Sequence, residues 1–544
     1  MRQKWESPEF MPRLMSETCA VGVKSGLTGL SGGTDLPVLR ISCPLVCFVG
    51  MISARTLVIE HWTLVIYFFA VPETDRPNIL WLCTDQQRYD TIRALGNSLV
   101  NTPNIDRLIG EGVAFTRAYC QSPVCTPSRA SFLTGRYPRT TRCRQNGQAM
   151  PPDERLISRI LADNGYTCGL AGKLHLASCS DGKVETRIDD GYSTFHWSHH
   201  PQPDWPENAY TQWLRKKGKT WADLYQGRGT AYVKEGVPSE YHQTTWCAEM
   251  TIDFLRENKG HPWMFSFNCF APHHPFDPPK EFLDKYNPAD MPLPKYREGE
   301  LADKPHFQQL DHEWAHNSPG YFHVSGMTDD DRRHVTAAYY AMCEHIDHEV
   351  GRILDALNES GQRENTIVIF MSDHGEMLGD HGMYLKGPHF YEEAVRVPLV
   401  MRWPGVFKAG HQINGLVELT DLAPTLLNCA SIEVPDRMQG KSLCEHLKGA
   451  VDGGHIRDFV FSEYYNSWTH DDGYGTMLRT QTEKIVVYHG TEIGELYDLE
   501  TDPDEFENLW DSPEHQGIKL RLMKQCFDAS VFTMDPDPPR VGPF

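Results

Sequence analysis

The sequence of 544 residues contains no CxxC pair, no internal repeat and no unbroken apolar run of membrane-spanning length. Its fifteen cysteines, an odd count scattered from Cys19 to Cys526, have neither the spacing of a disulfide framework nor that of a zinc knuckle. The longest apolar run, Leu57 to Val71, is interrupted by Glu60 and His61, so no stable membrane span is expected. Positive charge is also short: 52 Lys and Arg stand against 73 Asp and Glu, for a formal net charge of −21. That balance argues against nucleic acid as a partner, because phosphate backbones are held by clustered cations. It does not exclude a small anionic substrate, which needs only a few cations placed locally.

What is present is the composition of a globular protein, 40% hydrophobic and 11% aromatic. Residues 1–75 mix Gly/Ser-rich stretches with apolar runs and read as an N-terminal extension. If translation began at Met51, Arg55 and the run Trp62 to Ala70 would make a weak signal-peptide pattern without an A-x-A cleavage site. From Pro77 onward short apolar runs alternate with helical stretches, which predicts an α/β domain over 76–450 with a mostly parallel central sheet flanked by helices. The expected core strands are Ile79 to Cys83, Thr167 to Ala171, Trp263 to Phe267, Thr366 to Met371 and Pro398 to Met401. A long helix is predicted from the cap Thr328 to Gly361, with Val335, Tyr339, Met342, Ile346, Val350, Ile353 and Leu357 forming its core stripe. Residues 451–544 predict a small α+β subdomain, with strands near Phe459 to Phe461, Lys484 to Tyr488 and Glu495 to Leu499 and a helix near Ile518 to Phe527.

The polar residues of interest follow the predicted strands, and in open α/β sheets that edge is where ligands bind. Asp85 and Gln86 follow the first strand, Lys173 and His175 the second, His273 and His274 the third, and Asp373 and His374 the fourth. A further element, Cys125-Thr126-Pro127-Ser128-Arg129, opens a helix that Gly135 suits as a C-cap. Cys125 is thus expected at a helix N-terminus, where free N–H groups attract anions, with the positive charge of Arg129 one turn on.

The motif C-T-P-S-R followed by A-S-F-L-T-G-R resembles the maturation signature of the type I, formylglycine-dependent sulfatases of the alkaline-phosphatase-like superfamily. The resemblance spans about Pro77 to Asn508 and includes RPNIL at Arg76, GKLHL at Gly172, PHHPF at Pro272, SDHGEMLGDHG at Ser372, YEEAVRVPL at Tyr391 and ELYDLETDPDEFEN at Glu495. It implies an alkaline-phosphatase-like large domain, and a nucleophile made from Cys125 by oxidation to formylglycine, which a formylglycine-generating enzyme carries out. It further implies one divalent metal held by Asp85, Gln86, Asp373, His374 and residue 125. Oxygen-rich ligands favour Ca²⁺, with Mg²⁺ or Mn²⁺ as alternates. Many members have Asp where this chain has Gln86, and often Asn where it has His374. The resemblance gives Lys173 the diol and a sulfate oxygen to hold, and His175 the proton that releases sulfate. It gives His273 and Lys386 the sulfate and the leaving oxygen, and Asn146 a further polar contact. His274, Asp380 and His381 are expected to orient these groups or line the pocket. The segment Phe195 to Trp205, rich in aromatic and His residues, is a candidate for substrate contact.

The implied substrate is a sulfate ester, foremost of a carbohydrate, with choline sulfate or aryl sulfates behind it. Three alternatives stand beside it. One is a phosphonate monoester hydrolase or phosphodiesterase of the same superfamily, against which the intact Lys173-x-His175 argues. Another is a binding homologue without catalysis, and the third is an enzyme whose Cys125 is never matured. The family is often periplasmic or secreted; without a signal at this N-terminus the protein would stay cytoplasmic.

Overall fold

The computed structural model describes residues 76–536 except 181, 202–203, 452–453 and 468–472, together with 542 and, within 1–75, only 40–41, 59–60 and 63–65. The chain divides into two units, Met1–Val71 and Pro72–Phe544. In the first, Arg40–Ile41 and Ile59–Glu60 each pair antiparallel with Thr63–Val65. Most of the extension and of its apolar run Leu57 to Val71 lies outside the described residues.

The second unit is built on an eight-stranded sheet. In chain order its strands are β1 (Asn78–Asp85), β2 (Val113–Phe115), β3 (Thr167–Gly172), β4 (Thr194–Trp197), β5 (Trp263–Pro272), β6 (Thr366–Ser372), β7 (Leu399–Arg402) and β8 (His411–Ile413). They lie in the order β8-β2-β7-β6-β1-β5-β3-β4. All neighbours are parallel except β7, which runs antiparallel to both β6 and β2. The mostly parallel sheet read from the alternating pattern is therefore present, with one reversed strand that the apolar run Pro398 to Met401 did not distinguish.

Alternation along β1 explains how the sheet buries both faces. Ile79, Trp81 and Cys83 join a core that includes Phe132 and Leu133 of helix α1 (Cys125–Thr134). Leu80 and Leu82 face the opposite core, which includes residues of α2 (Gln243–Glu257) and α3 (Asp329–Glu359). The predicted stripe of α3 is wholly buried there, from Val335 to Leu357. Its start is fixed by a capping box: Asp331 N donates to Thr328 Oγ1 over 3.1 Å, and Thr328 N donates back to Asp331 Oδ2 over 2.9 Å. Gly361 then takes a positive φ of 74°, which stops the helix where the glycine was read as a terminator.

The C-terminal part forms a four-stranded antiparallel sheet of β9 (Val460–Tyr465), β10 (Tyr474–Arg479), β11 (Glu483–Tyr488) and β12 (Gly494–Asp498), against which α4 (Gln516–Phe532) packs. β10 is the strand that sequence reasoning did not read. Its Gly475 interrupts the β-branched and aromatic pattern, and the absence of a Cβ lets Phe390 and Tyr488 close over it.

Candidate active site

β1 and β6 are parallel neighbours with Thr84 opposite Ser372, so Asp85 and Asp373 emerge side by side at the carboxyl edge. Gln86 then takes left-handed backbone, φ 66°. That conformation costs an L-residue ~1–2 kcal/mol. It is held because Gln86 N and His374 N both donate to Asp373 Oδ1, over 3.0 and 2.9 Å. The Gln86 side chain is fixed at both ends. Its Nε2 donates to Glu376, and its Oε1 accepts from Lys386 Nζ over 2.7 Å.

Cys125 is the first residue of α1, after an extended Val124 that offers no side-chain cap. The cap comes instead from Asn146, whose Oδ1 accepts from Thr126 N over 2.9 Å. Four polar atoms surround the buried Cys125 Sγ: His374 Nε2 at 3.0 Å, Lys386 Nζ at 3.1 Å, Lys173 Nζ at 3.6 Å and Asp85 Oδ1 at 3.7 Å. One turn along, Arg129 reaches under the cluster. Its Nε donates to Asp373 Oδ2 over 2.8 Å, its Nη2 to Asp85 Oδ2 over 3.2 Å, and its Nη1 to the Lys173 carbonyl over 2.8 Å. Lys173 Nζ adds a 2.5 Å contact to Asp85 Oδ2.

These contacts set the protonation of the groups. Burial and the Asp85 carboxylate push the Cys125 thiol up, but Lys173, Lys386 and His374 outweigh them and bring it down to about 7. Burial also opposes ionisation of Asp85, yet Lys173, Arg129 and Lys386 hold that carboxyl well below the usual carboxylate range. Around the mouth the balance runs the other way. Burial, reinforced by Lys173, keeps His175 well below the ordinary histidine value, and burial with Lys386 does the same for His273. Burial lowers His274 as well, and takes His200 down to about 4.

A cavity of about 650 Å³ opens over Cys125. Lys173, Lys386, His175, His273, His274 and Asn146 line it, and among the described residues no carboxylate does. His175 stands in left-handed backbone, φ 58°, with Nδ1 buried and without a hydrogen-bond partner. Glu185 pins its loop by accepting from His175 N over 3.0 Å, Leu176 N over 2.8 Å and Trp197 Nε1 over 2.7 Å. His273 Nδ1 donates to the His274 carbonyl over 2.6 Å, and His274 Nε2 meets the Tyr321 hydroxyl.

The donors below Cys125 fit a divalent cation. One donor atom each of Asp85, Cys125, Asp373 and His374 lies within 4.8 Å of all the others, and all four residues are buried. Gly375 O can only accept, so the 2.8 Å contact from His374 Nδ1 places the ring proton there and leaves the Nε2 lone pair facing the cluster when the ring is neutral. Two carboxylates, an imidazole and the amide oxygen of Gln86 make a mixed, oxygen-rich donor set.

The structure thus brings Asp85, Gln86, Cys125, Arg129, Lys173, Asp373, His374 and Lys386 into one buried cluster. It places His175, His273, His274 and Asn146 on the cavity wall above. Asp380 and His381 stand apart from that wall: Asp380 pairs with Arg88 at 2.9 Å and His381 Nδ1 lies 3.2 Å from Glu300. In the segment Phe195 to Trp205, of which 202–203 lie outside the described residues, His199 and His200 do line the cavity. Sequence reasoning did not single out Glu376, Glu185, His316 or Tyr321. Glu376 sits inside the quoted SDHGEMLGDHG stretch, four residues before Asp380, and that proximity to two other acids was the one signal for it.

Comparison with known proteins gives the same picture. The family profile described as Sulfatase matches residues 77–432, and that described as N-sulphoglucosamine sulphohydrolase, C-terminal, matches 379–531. An arylsulfatase of Clostridium perfringens is 32% identical over 461 residues, covering 81% of this chain and 92% of its own. An N-acetylglucosamine-6-O-sulfatase of Bacteroides thetaiotaomicron is 26% identical, covering 86% and 88%. Among solved structures, a phosphonate monoester hydrolase of Agrobacterium radiobacter superposes with a TM-score of 0.75 at 26% identity, covering 85% of this chain and 97% of its own.

Proposed function

This chain belongs to the sulfatase family, and we propose that it hydrolyses a sulfate ester of a carbohydrate with a nucleophile made from Cys125 beside a divalent cation. The observation that carries this reading is the setting of Cys125. It sits at the start of α1, at the floor of a cavity with cationic and neutral polar walls, within 3.7 Å of two lysines, His374 and Asp85. Relatives named as sulfatases of N-acetylglucosamine and of iduronate support a sugar ester.

Asp85, Gln86, Asp373 and His374 would hold the cation, Ca²⁺ first among the alternatives, with residue 125 completing the set. When in place, the cation and the hydrated aldehyde of residue 125 supply a hydroxyl that ionises near neutral pH. The rest falls to side chains of this chain. Arg129 holds both carboxylates in position from below. Lys173 and Lys386 bring two fixed positive charges to the point where sulfate oxygens must lie, and a dry site makes them stronger than they would be in water. Burial keeps His273 neutral, and its Nδ1 proton is committed to the His274 carbonyl. Lys386 is therefore the proton donor to the leaving sugar oxygen, while His273 Nε2, left as an acceptor, takes a hydrogen bond from a hydroxyl of the substrate. His175, neutral and with Nδ1 unengaged, is the base that takes the proton released as sulfate departs.

A second reading, hydrolysis of phosphonate monoesters, is favoured by the likeness to the Agrobacterium radiobacter enzyme. Both esters are tetrahedral and anionic. Steady-state kinetics of the matured protein on 4-nitrophenyl sulfate and on 4-nitrophenyl phenylphosphonate separates the two. A higher kcat/KM on the sulfate is expected, and the reverse ratio overturns the sulfatase assignment of substrate.

A further inference from the structure

A second cavity, of about 390 Å³, lies between the loop that follows α1 and the C-terminal sheet. Arg139 and Arg144 bound it on one side, and Glu463, Tyr465, Tyr474 and His489 on the other. It is the neighbour of the active-site cavity. Arg144 lines the one and Asn146 the other, and Tyr465 and Ser467 are divided in the same way. Gln145 Nε2 donates to the Asn466 carbonyl over 2.6 Å and Asn146 N to Ser467 Oγ over 3.4 Å, so the two strips form one partition. Residues two apart in a chain are separated by at most ~7 Å, a distance on the scale of one sugar ring.

The walls have the chemistry of a saccharide site. Tyr465 and Tyr474 meet edge to face at 4.8 Å, and the Arg144 guanidinium lies over the Tyr465 ring at 4.0 Å. Arg139 Nε donates to Glu463 Oε1 over 2.9 Å, while Glu463 Oε2 is buried without a hydrogen-bond partner. Arg144 Nε is likewise buried without one, and among the described residues Arg144 has no carboxylate partner. Buried polar atoms left without bonds are costly and call for an explanation. A pyranose ring satisfies both: a hydroxyl donates to Glu463 Oε2, an acidic substituent accepts from Arg144, and a ring face covers tyrosine.

We propose that this cavity is a subsite for a second, acidic sugar unit joined to the sulfated one, so that the preferred substrate is a sulfated oligosaccharide. The proposal rests on the reading of the protein as a carbohydrate sulfatase.

The test compares wild type, Arg144→Ala and Tyr474→Ala, all matured, on 4-nitrophenyl sulfate and on sulfated glycosaminoglycan disaccharides and tetrasaccharides. The expected result is a split. Both variants keep the kcat/KM on the aryl sulfate and lose about tenfold on the tetrasaccharide, the loss falling in KM. Arg144→Lys, which keeps the charge, recovers part of it. Equal losses on both substrates overturn the proposal, as does no loss on either. So does an enzyme that cleaves the aryl sulfate but no oligosaccharide. Inactivity of the matured wild type on every sulfate ester overturns the sulfatase reading itself, and this subsite with it.

Discussion

Arg129 Nε donates to Asp373 Oδ2 over 2.8 Å, with both side chains buried beneath Cys125. The same guanidinium reaches Asp85, so one cation spans the two carboxylates that face the proposed metal. Such an arrangement offsets the repulsion between two acidic groups held close together. It also ties the helix that carries Cys125 to the sheet edge that carries Asp85 and Asp373.

Replacement of Arg129 should therefore be costly to the fold as well as to catalysis. Arg129→Ala leaves the buried Asp373 without its cationic partner and Asp85 with Lys173 as its remaining close one, and an expected loss of about 3–5 kcal/mol follows. Urea unfolding of wild type and variant measures it. A loss below about 1 kcal/mol, the scale of an exposed pair, would show that the guanidinium does not bridge the carboxylates.

Binding of the cation should be visible without any turnover. A ligand present at a hundred times its dissociation constant stabilises the folded state by about 2.7 kcal/mol. Adding Ca²⁺ to chelator-treated protein should raise the thermal midpoint, with Mg²⁺ and Mn²⁺ giving smaller shifts. Asp373→Asn and Asp85→Asn should abolish the rise. A rise of equal size in both variants would place the cation elsewhere.

The histidines of the cavity predict a direction for acid sensitivity. His175, His199, His273 and His274 are held well below 6.5 by burial, His200 falls to about 4 and His316 to about 3. In the unfolded chain each takes up a proton near pH 6.5. Below that pH the unfolded state binds protons that the folded state does not, so stability falls as the pH falls, and it is complete above 6.5. The thermal midpoint of the cation-free protein should drop between pH 7.5 and 5.5. A flat profile over that range contradicts neutral, buried imidazoles.

Loss of the neutral base should appear in the rate. His175→Ala removes a group whose action as general base is worth about 10²–10⁴-fold. The loss is expected in kcat on 4-nitrophenyl sulfate, with KM falling alongside it because the assisted step follows transfer of the sulfuryl group. A variant that loses only affinity would make His175 a binding residue.

Much of this site was legible because parallel strands deliver their last residues to one edge. The runs ending at Cys83, Ala171, Phe267 and Met371 are apolar on both faces, and the polar residues that follow them could be grouped before any coordinates. The capped start of α3 was legible for a similar reason, since Thr328 and Asp331 settle it locally. Direction and partnership were not legible. The run that became β7 is apolar like its neighbours, and its reversal depends on the path of the chain after β6. Arg129 could be placed one turn from Cys125, but nothing local says that it spans Asp85 and Asp373. Glu376 and Glu185 act on Gln86 and on the His175 loop from 290 and 10 residues away in sequence. Contacts that are tertiary in origin leave no periodic trace.

The central claim is that Cys125 becomes the nucleophile, and mass spectrometry of one tryptic peptide tests it most directly. The peptide Ala118–Arg129 contains Cys120 and Cys125, so fragmentation must assign the change to a residue. Protein made together with a formylglycine-generating enzyme should show a loss of about 18 Da at Cys125, as thiol is replaced by aldehyde, with Cys120 unchanged. An intact thiol at Cys125, in a host that matures a control sulfatase, would contradict the account.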